Sequence, residues 1–259
     1  MNAHRKPLVA GNWKMFKGGL AGVELAAGCA QLARAVTHVE IVIAPPFTAL
    51  AAAAHECEGS GCAIAGQNLY PKDEGAFTGE ISAPMLVEAG CTWVIVGHSE
   101  RRQYFGETDA SVASKTAAVL AGKLLPIVCV GETLAEREAG KTLTVVERQV
   151  NAVVETLGGA TESCAIAYEP VWAIGTGKTA GPKEAEEVHR AIRGWLTALS
   201  ADLAERTRIL YGGSVKPDSA PLLLAAPNVD GALVGGASLD AASFGAIARA
   251  AEALALRPQ

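Results

Sequence analysis

The sequence predicts an α/β protein built as one (β/α)8 barrel, and three observations predict it. Short apolar runs rich in β-branched residues recur eight times along the chain. Longer stretches with helical spacing lie between them. No Ser/Gly linker and no shift in composition divides the 259 residues, so residues 1–259 are expected to form a single domain.

The eight runs are Leu8–Asn12, Val39–Ala44, Cys62–Gly66, Thr92–Val96, Leu124–Val130, Cys164–Ala167, Arg208–Tyr211 and Gly231–Val234. They are nearly continuous in apolar residues rather than alternating, the pattern of parallel strands covered by helices. Between them, Glu107–Ala121, Leu134–Leu157 and Lys183–Leu203 carry acidic first turns and apolar residues at three- and four-residue intervals. That spacing predicts helices with one buried face. Pro182 and Pro217 suit the first turn of a helix, where a missing N–H costs little. Eight strand–helix units in about 250 residues describe a closed barrel. A doubly wound open sheet would carry a glycine fingerprint after its first strand, and Gly11-Asn12-Trp13-Lys14 is not one.

Composition narrows the function. Half of the residues are apolar and few are aromatic, so the core is expected to be mostly Ala, Val, Leu and Ile. Lys and Arg total 22 against 27 Asp and Glu, for a net charge of −5. A nucleic-acid partner would call for a basic face. A mildly acidic protein can still bind a small anion through a few fixed donors in a cleft. No stretch approaches the ~18 apolar residues of a membrane helix. The basic start, Met1 to Pro7, leads into an apolar run that breaks at Asn12 and Lys14, too short for a secretory signal. The expectation is a cytoplasmic protein with no membrane and no nucleic-acid partner. Cys29, Cys57, Cys62, Cys91, Cys129 and Cys164 show no CxxC pair and no metal-binding spacing with His. Several sit inside apolar runs and read as reduced, buried thiols.

In a barrel of this kind, chemistry collects at the C-terminal ends of the strands. Strand one ends in Asn12 and Lys14, strand four in His98-Ser99-Glu100, and strand six in Glu169. Strands seven and eight end in Gly212-Gly213-Ser214 and Gly235-Gly236. The set holds a carboxylate, an imidazole, a cation and two glycine turns. Glu169 reads equally as an exposed strand-end charge or as a general base whose pKa is raised by an apolar rim. His98 after a strand is more often structural, but its place at the barrel end tilts it toward function. Asn12 and Lys14 flank a Trp on a buried strand, and Lys is seldom buried without purpose. The glycine turns at the last two strands suit phosphate, because glycine lets backbone N–H groups approach an anion closely.

Pro170 to Ala180 separates strand six from its helix. The segment is apolar at its centre and carries Gly175 and Gly177 near its tip. An exposed Trp172 and Ile174 would be costly in a loop that never closed over anything, so a mobile lid is expected. Gly177-Lys178-Thr179 is no nucleotide P-loop, since Trp172 stands where that motif needs glycine.

Taken together, these motifs resemble the triosephosphate isomerase family. The resemblance rests on Gly11-Asn12-Trp13-Lys14-Met15, Gly97-His98-Ser99-Glu100-Arg101-Arg102, Ala167-Tyr168-Glu169-Pro170 through Thr179, Tyr211-Gly212-Gly213-Ser214 and Val234-Gly235-Gly236-Ala237. It runs from about Pro7 to Leu254, with the motifs in the family's order. It implies a TIM barrel that interconverts dihydroxyacetone phosphate and D-glyceraldehyde 3-phosphate, a step of glycolysis and gluconeogenesis. It implies Glu169 as the base, His98 as a neutral electrophile, and Lys14 with Asn12 as the countercharge to substrate and intermediate. Gly175, Ser214, Gly235 and Gly236 would bind the phosphate through backbone N–H groups. Ser99, Glu100, Cys129 and Tyr211 would support the site, Cys129 by packing rather than as a nucleophile. No cofactor and no metal are implied. The segment from Gln67 to Glu80 resembles the family's protruding third loop. Its Thr78 would approach Asn12 and His98 of a second copy, making a homodimer. Two other readings stay open: an isomerase of a different short sugar phosphate, and a non-catalytic barrel, which should have lost one of Lys14, His98 or Glu169.

Overall fold

The structure, a computed structural model, describes residues 5–158, 164–174 and 180–257. Its eight strands are β1 (Leu8–Asn12), β2 (Glu40–Ala44), β3 (Cys62–Gly66), β4 (Trp93–Val96), β5 (Leu125–Val130), β6 (Ala165–Tyr168), β7 (Arg208–Tyr211) and β8 (Gly231–Val234). Every neighbouring pair is parallel, and β8 returns to pair with β1, closing a single (β/α)8 TIM barrel. The register sets Asn12 level with Ala44, and Val130, Tyr168 and Tyr211 level with one another, so the strand ends form one rim.

Successive side chains on a strand point to opposite faces. Leu8, Ala10, Val42, Ala65, Ile95, Ile127, Ala165, Leu210 and Leu233 pack together in the barrel interior. Val9, Ile41, Ile43, Ile64, Val94, Val128, Ile166 and Ile209 face the surrounding helices. Both faces are buried, which is why the strands lack polar alternation. The floor is polar: Arg208 pairs with Glu40 and lies over the Trp93 ring, whose N–H donates to Glu40 at 3.1 Å.

The outer layer holds α1 (Leu20–Ala35), α2 (Leu50–Cys57), α3 (Ala83–Glu88), α4 (Ser99–Phe105), α5 (Asp109–Ala121), α6 (Leu134–Glu138), α7 (Thr142–Gly158), α8 (Pro182–Leu199), α9 (Ala201–Arg206), α10 (Ala220–Leu224) and α11 (Ala241–Ala255). Among the described residues, no helix is long and apolar enough to cross a membrane.

Strands β1, β3, β7 and β8 match the apolar runs end for end, and the rest shift by one residue. Three helical expectations need correction. The stretch Leu134–Leu157 is two helices, because Gly140 turns left-handed at φ 68° between α6 and α7. Lys183–Leu203 divides at Ser200, which is extended at φ −161° and caps α9 by accepting the Leu203 N–H. Pro217 lies in a turn rather than a helix. The Lys216 carbonyl there accepts the N–H groups of Ser219 and Ala220, and Pro221 occupies the first turn of α10. Pro182 does open α8.

Candidate active site

Asn12 ends β1 with its side chain buried, and its Oδ1 accepts the Lys14 N–H at 3.0 Å. That bond helps hold Lys14 at φ +52°, a left-handed conformation that costs a side chain-bearing residue about 1–2 kcal/mol. Gln67, the residue after β3, holds the same turn from below. Its amide donates to the carbonyls of Lys14 and Ala44 at 2.8 and 2.9 Å. The turn aims Lys14 across the mouth, where Nζ meets Glu100 Oε1 at 2.6 Å.

After β4 the chain turns at Gly97, whose φ of +71° and contact with Val112 leave no room for a side chain. His98 then caps α4: its Nδ1 accepts the Glu100 N–H at 3.2 Å. A nitrogen that accepts carries no proton, so the geometry favours the tautomer with hydrogen on Nε2. That nitrogen faces Glu169 Oε1 at 3.0 Å.

Glu169 follows β6 and is almost wholly buried. Its Oε2 accepts the Ser99 N–H at 2.8 Å. Gly212 leaves space beside it, since a Cβ there would stand 2.8 Å from Glu169 Cγ. Cys129 of β5 is fully buried against the same carboxylate, and burial pushes its thiol far above the usual range. A thiol so held stays protonated, in keeping with packing.

Burial alone would raise the Glu169 pKa. In this arrangement His98, the Ser99 amide and Lys14 outweigh it and hold the carboxyl below its ordinary value. The expectation of a raised pKa from an apolar rim therefore fails here, because the rim carries these donors. Burial pulls His98 down while Glu169, then Glu100, push it up, and the balance lies above the usual imidazole value. Both directions depend on the two side chains remaining in contact.

These residues line one cleft of 580 Å³ with the turns after β7 and β8. Asn12, Lys14, His98 and Glu169 line it together with Ser214, Gly235 and Gly236. Gly213 is confined by Tyr211, whose hydroxyl occupies the space a Cβ would need. The Tyr211 hydroxyl itself donates to the Ala180 carbonyl at 3.4 Å. Ser238 ties β8 to β1, donating to Gly235 O at 2.7 Å and to Asn12 O at 3.4 Å. A neighbouring hollow of 420 Å³ touches Glu169 from behind, beside Arg102, Asp109 and Arg148, but contains neither Lys14 nor His98. Among the described residues, no three His, Cys, Asp or Glu side chains converge as metal ligands.

Gly175 and the lid tip through Thr179 lie outside the described residues. The near end of the segment from Pro170 to Ala180, expected to be a lid, is held by Glu132, which is fully buried. Tyr168 donates to both its carboxylate oxygens at 3.2 and 3.1 Å, and the Trp172 indole donates at 2.8 Å. Arg137 lies over the Trp172 ring, 4.4 Å from its centroid, and 3.5 Å from Glu132. Ile174 reaches the cleft. Thr78 is elsewhere, on the exposed loop from Lys72 to Glu80, and does not line the cleft of its own chain. Sequence reasoning missed Gln67 and Glu132. Both stand just past strand ends, β3 and β5, where the rule that found Glu169 would have found them.

A buried carboxylate, an Nε2-protonated imidazole and a cation around one cleft with glycine turns suit proton transfer on a small anion. Known proteins agree. The profile of the family described as Triosephosphate isomerase matches residues 7–251. The chain is 52% identical over 250 residues to the triosephosphate isomerase of Citrifermentans bemidjiense, covering 96% of this chain and 100% of that one. It is 53% identical over 247 residues to that of Moorella thermoacetica, covering 94% and 98%. For Alcanivorax borkumensis the figures are 54% over 250 residues, covering 96% and 100%. With half its residues shared along almost its whole length, this chain belongs to the triosephosphate isomerase family.

Proposed function

We propose that the chain interconverts dihydroxyacetone phosphate and D-glyceraldehyde 3-phosphate as a single barrel domain, moving one proton between adjacent carbons through an enediol(ate). The observation that carries the reading is the buried meeting of Glu169 with the Nε2 face of His98, with Lys14 in the same cleft. Glu169 takes the proton from one carbon and returns it to the next. His98 donates a hydrogen bond to the oxygen that becomes negative, and Lys14, steadied by Asn12, balances the charge. Fixed donors in a buried site need no reorganisation as charge develops. Triosephosphate isomerases are themselves the type case of a Glu base beside a neutral imidazole, so the assignment leans on the family as well as on this geometry.

The phosphate sits against the backbone N–H groups of Ser214, Gly235 and Gly236, joined by Gly175 when the lid closes. Closure puts phosphate-binding energy to work at the reacting carbons and shields the enediolate from losing phosphate. The family's lid is likewise the type case of a gating loop. Ser99 and Glu100 hold Glu169 and Lys14 between turnovers, Cys129 packs beneath, and Tyr211 shapes the turn at Gly213.

The same reading makes the protein a cytoplasmic homodimer joined through the loop around Thr78. Met15, Phe16, Phe47, Phe77, Tyr104 and Phe105 are exposed on the loops after β1, β2 and β3 and at the end of α4. So many exposed large apolar side chains favour a partner. Sedimentation of a monomer that is fully active at sub-micromolar concentration would rule the dimer out. The chemistry is tested by turnover in deuterium oxide. Proton transfer through Glu169 places deuterium on the product carbon; an internal hydride shift would leave none.

A further inference from the structure

The backbone of Glu169 is laid against the end of β5. Its N–H donates to the Val130 carbonyl at 2.7 Å, and the Val171 N–H donates to the Glu132 carbonyl at 3.1 Å. Gly131, between these two acceptors, lies so close that a Cβ on it would overlap the Glu169 carbonyl. Wherever the β5 end sits, Glu169 sits with it.

In a parallel ladder the residues of one strand face its two neighbours alternately. Val130 and Glu132 face β6, so Gly131 faces β4. The register names the partner it would have there. The Leu125 N–H donates to the Thr92 carbonyl at 2.9 Å, so counting six residues along both strands sets the Gly131 N–H level with the His98 carbonyl. But β4 has already ended at Val96, and the chain has turned at Gly97. The His98 carbonyl instead accepts the N–H groups of Arg101 and Arg102 at 2.8 and 3.1 Å, opening α4. Gly131 is left with a donor and an acceptor and no neighbouring strand.

Gln149 of α7 fills the gap. Its Oε1 accepts the Gly131 N–H at 2.7 Å, and its Nε2 donates to the Gly131 carbonyl at 3.2 Å. A side-chain amide offers the same donor and acceptor as a peptide, so this buried residue stands in for the missing strand. Packing does not do the same work, because Val130, Gly131, Gln149 and Glu169 border the 420 Å³ hollow behind the carboxylate.

We propose, resting on Glu169 as the base, that Gln149 is a positioning residue: its amide fixes Gly131, and Gly131 fixes Glu169. Without the amide the two Gly131 groups lose their buried partners and the β5 end shifts toward the hollow. The carboxylate then leaves its line to the reacting carbon, while the phosphate turns after β7 and β8 keep their place.

Gln149→Met keeps the length of the side chain and removes both bonds. Steady-state isomerisation of D-glyceraldehyde 3-phosphate should show kcat lower by about tenfold or more, with KM within about twofold, and circular dichroism native. The same change in a Glu169→Asp background should cost about threefold or less, because a base already withdrawn has less position to lose. If Gln149→Met does not fold, Gln149→Glu carries the same test: it keeps an acceptor for the Gly131 N–H, lacks the donor and should still lose kcat. The proposal is overturned if kcat stays within about twofold of wild type while the melting temperature falls, if KM alone changes, or if the two losses multiply in full. A wild type inactive on D-glyceraldehyde 3-phosphate would overturn the proposed reaction itself, and this role with it.

Discussion

Removing the Gln67 side chain should disable Lys14 without touching it. The Gln67 amide donates to the carbonyls of Lys14 and Ala44 at 2.8 and 2.9 Å, and Lys14 is held at φ +52°. Each such bond contributes about 1 kcal/mol net, so Gln67→Ala forfeits about 2 kcal/mol. The left-handed turn itself costs about 1–2 kcal/mol, so the remaining Asn12 bond would be left to hold it nearly alone. At ~1.4 kcal/mol per tenfold, the share of molecules with Lys14 correctly aimed falls up to about 30-fold. Because Lys14 is proposed to meet charge in substrate and transition state alike, kcat/KM should fall by about that factor. Gln67→Glu should be worse, since a carboxylate would face two carbonyl oxygens that need a donor. The assay is steady-state isomerisation, with thermal unfolding run alongside. If Gln67→Ala lowers the melting temperature while kcat/KM stays within about twofold, Gln67 supports the fold alone and the reasoning fails.

Three further perturbations follow from the geometry. Gly212→Ala puts a methyl 2.8 Å from Glu169 Cγ, so kcat should drop about tenfold or more while circular dichroism stays native; unchanged kcat would mean the carboxylate need not keep its place. Glu132→Gln removes the charge that Tyr168, Trp172 and Arg137 share, and should loosen the lid anchor, seen as increased quenching of tryptophan fluorescence and a raised KM. His189 is fully buried beside Tyr168 and Tyr211, with its Nδ1 3.2 Å from the Asn228 carbonyl, and burial pushes its pKa down to about 4. The unfolded chain takes up this proton near pH 6.5 and the folded one does not, so its stabilising effect is complete above that pH and lost as pH falls toward 4. His189→Asn should therefore show a flatter fall in melting temperature between pH 7 and 4.5 than wild type, and parallel curves would contradict the buried neutral imidazole.

Much of the barrel was legible because its strands are buried on both faces and read as unbroken apolar runs. The helix ends were not. Apolar spacing continues through Gly140 and Ser200, and only the backbone angles there show that α6 stops before α7 and α8 before α9. Pro217 misled because a turn closed on the Lys216 carbonyl tolerates proline as readily as a helix start does. Asn12, Lys14, His98, Glu169, Ser214, Gly235 and Gly236 could be picked out because polar or glycine residues ending apolar strands are conspicuous, and the structure draws them around one cleft. Gln67 and Glu132 also follow strand ends, but Gln67 opens a segment that reads as a partner-contact loop, and Glu132 stands two residues past β5. The direction of the Glu169 pKa was beyond sequence, because it turns on two donors brought from β4 and α4.

The central claim is that Glu169 is the base, and Glu169→Asp tests it most directly. Wild type and variant would be assayed side by side on D-glyceraldehyde 3-phosphate, with dihydroxyacetone phosphate formation coupled to its reduction. The substitution keeps the charge but withdraws the carboxylate by one methylene, so positioning alone should cost about 100-fold or more in kcat while KM changes little. Fast wild-type turnover with a severely slowed variant is the predicted result. A variant as fast as wild type would contradict the account, because a base that can be moved that far without loss is not the one taking the proton.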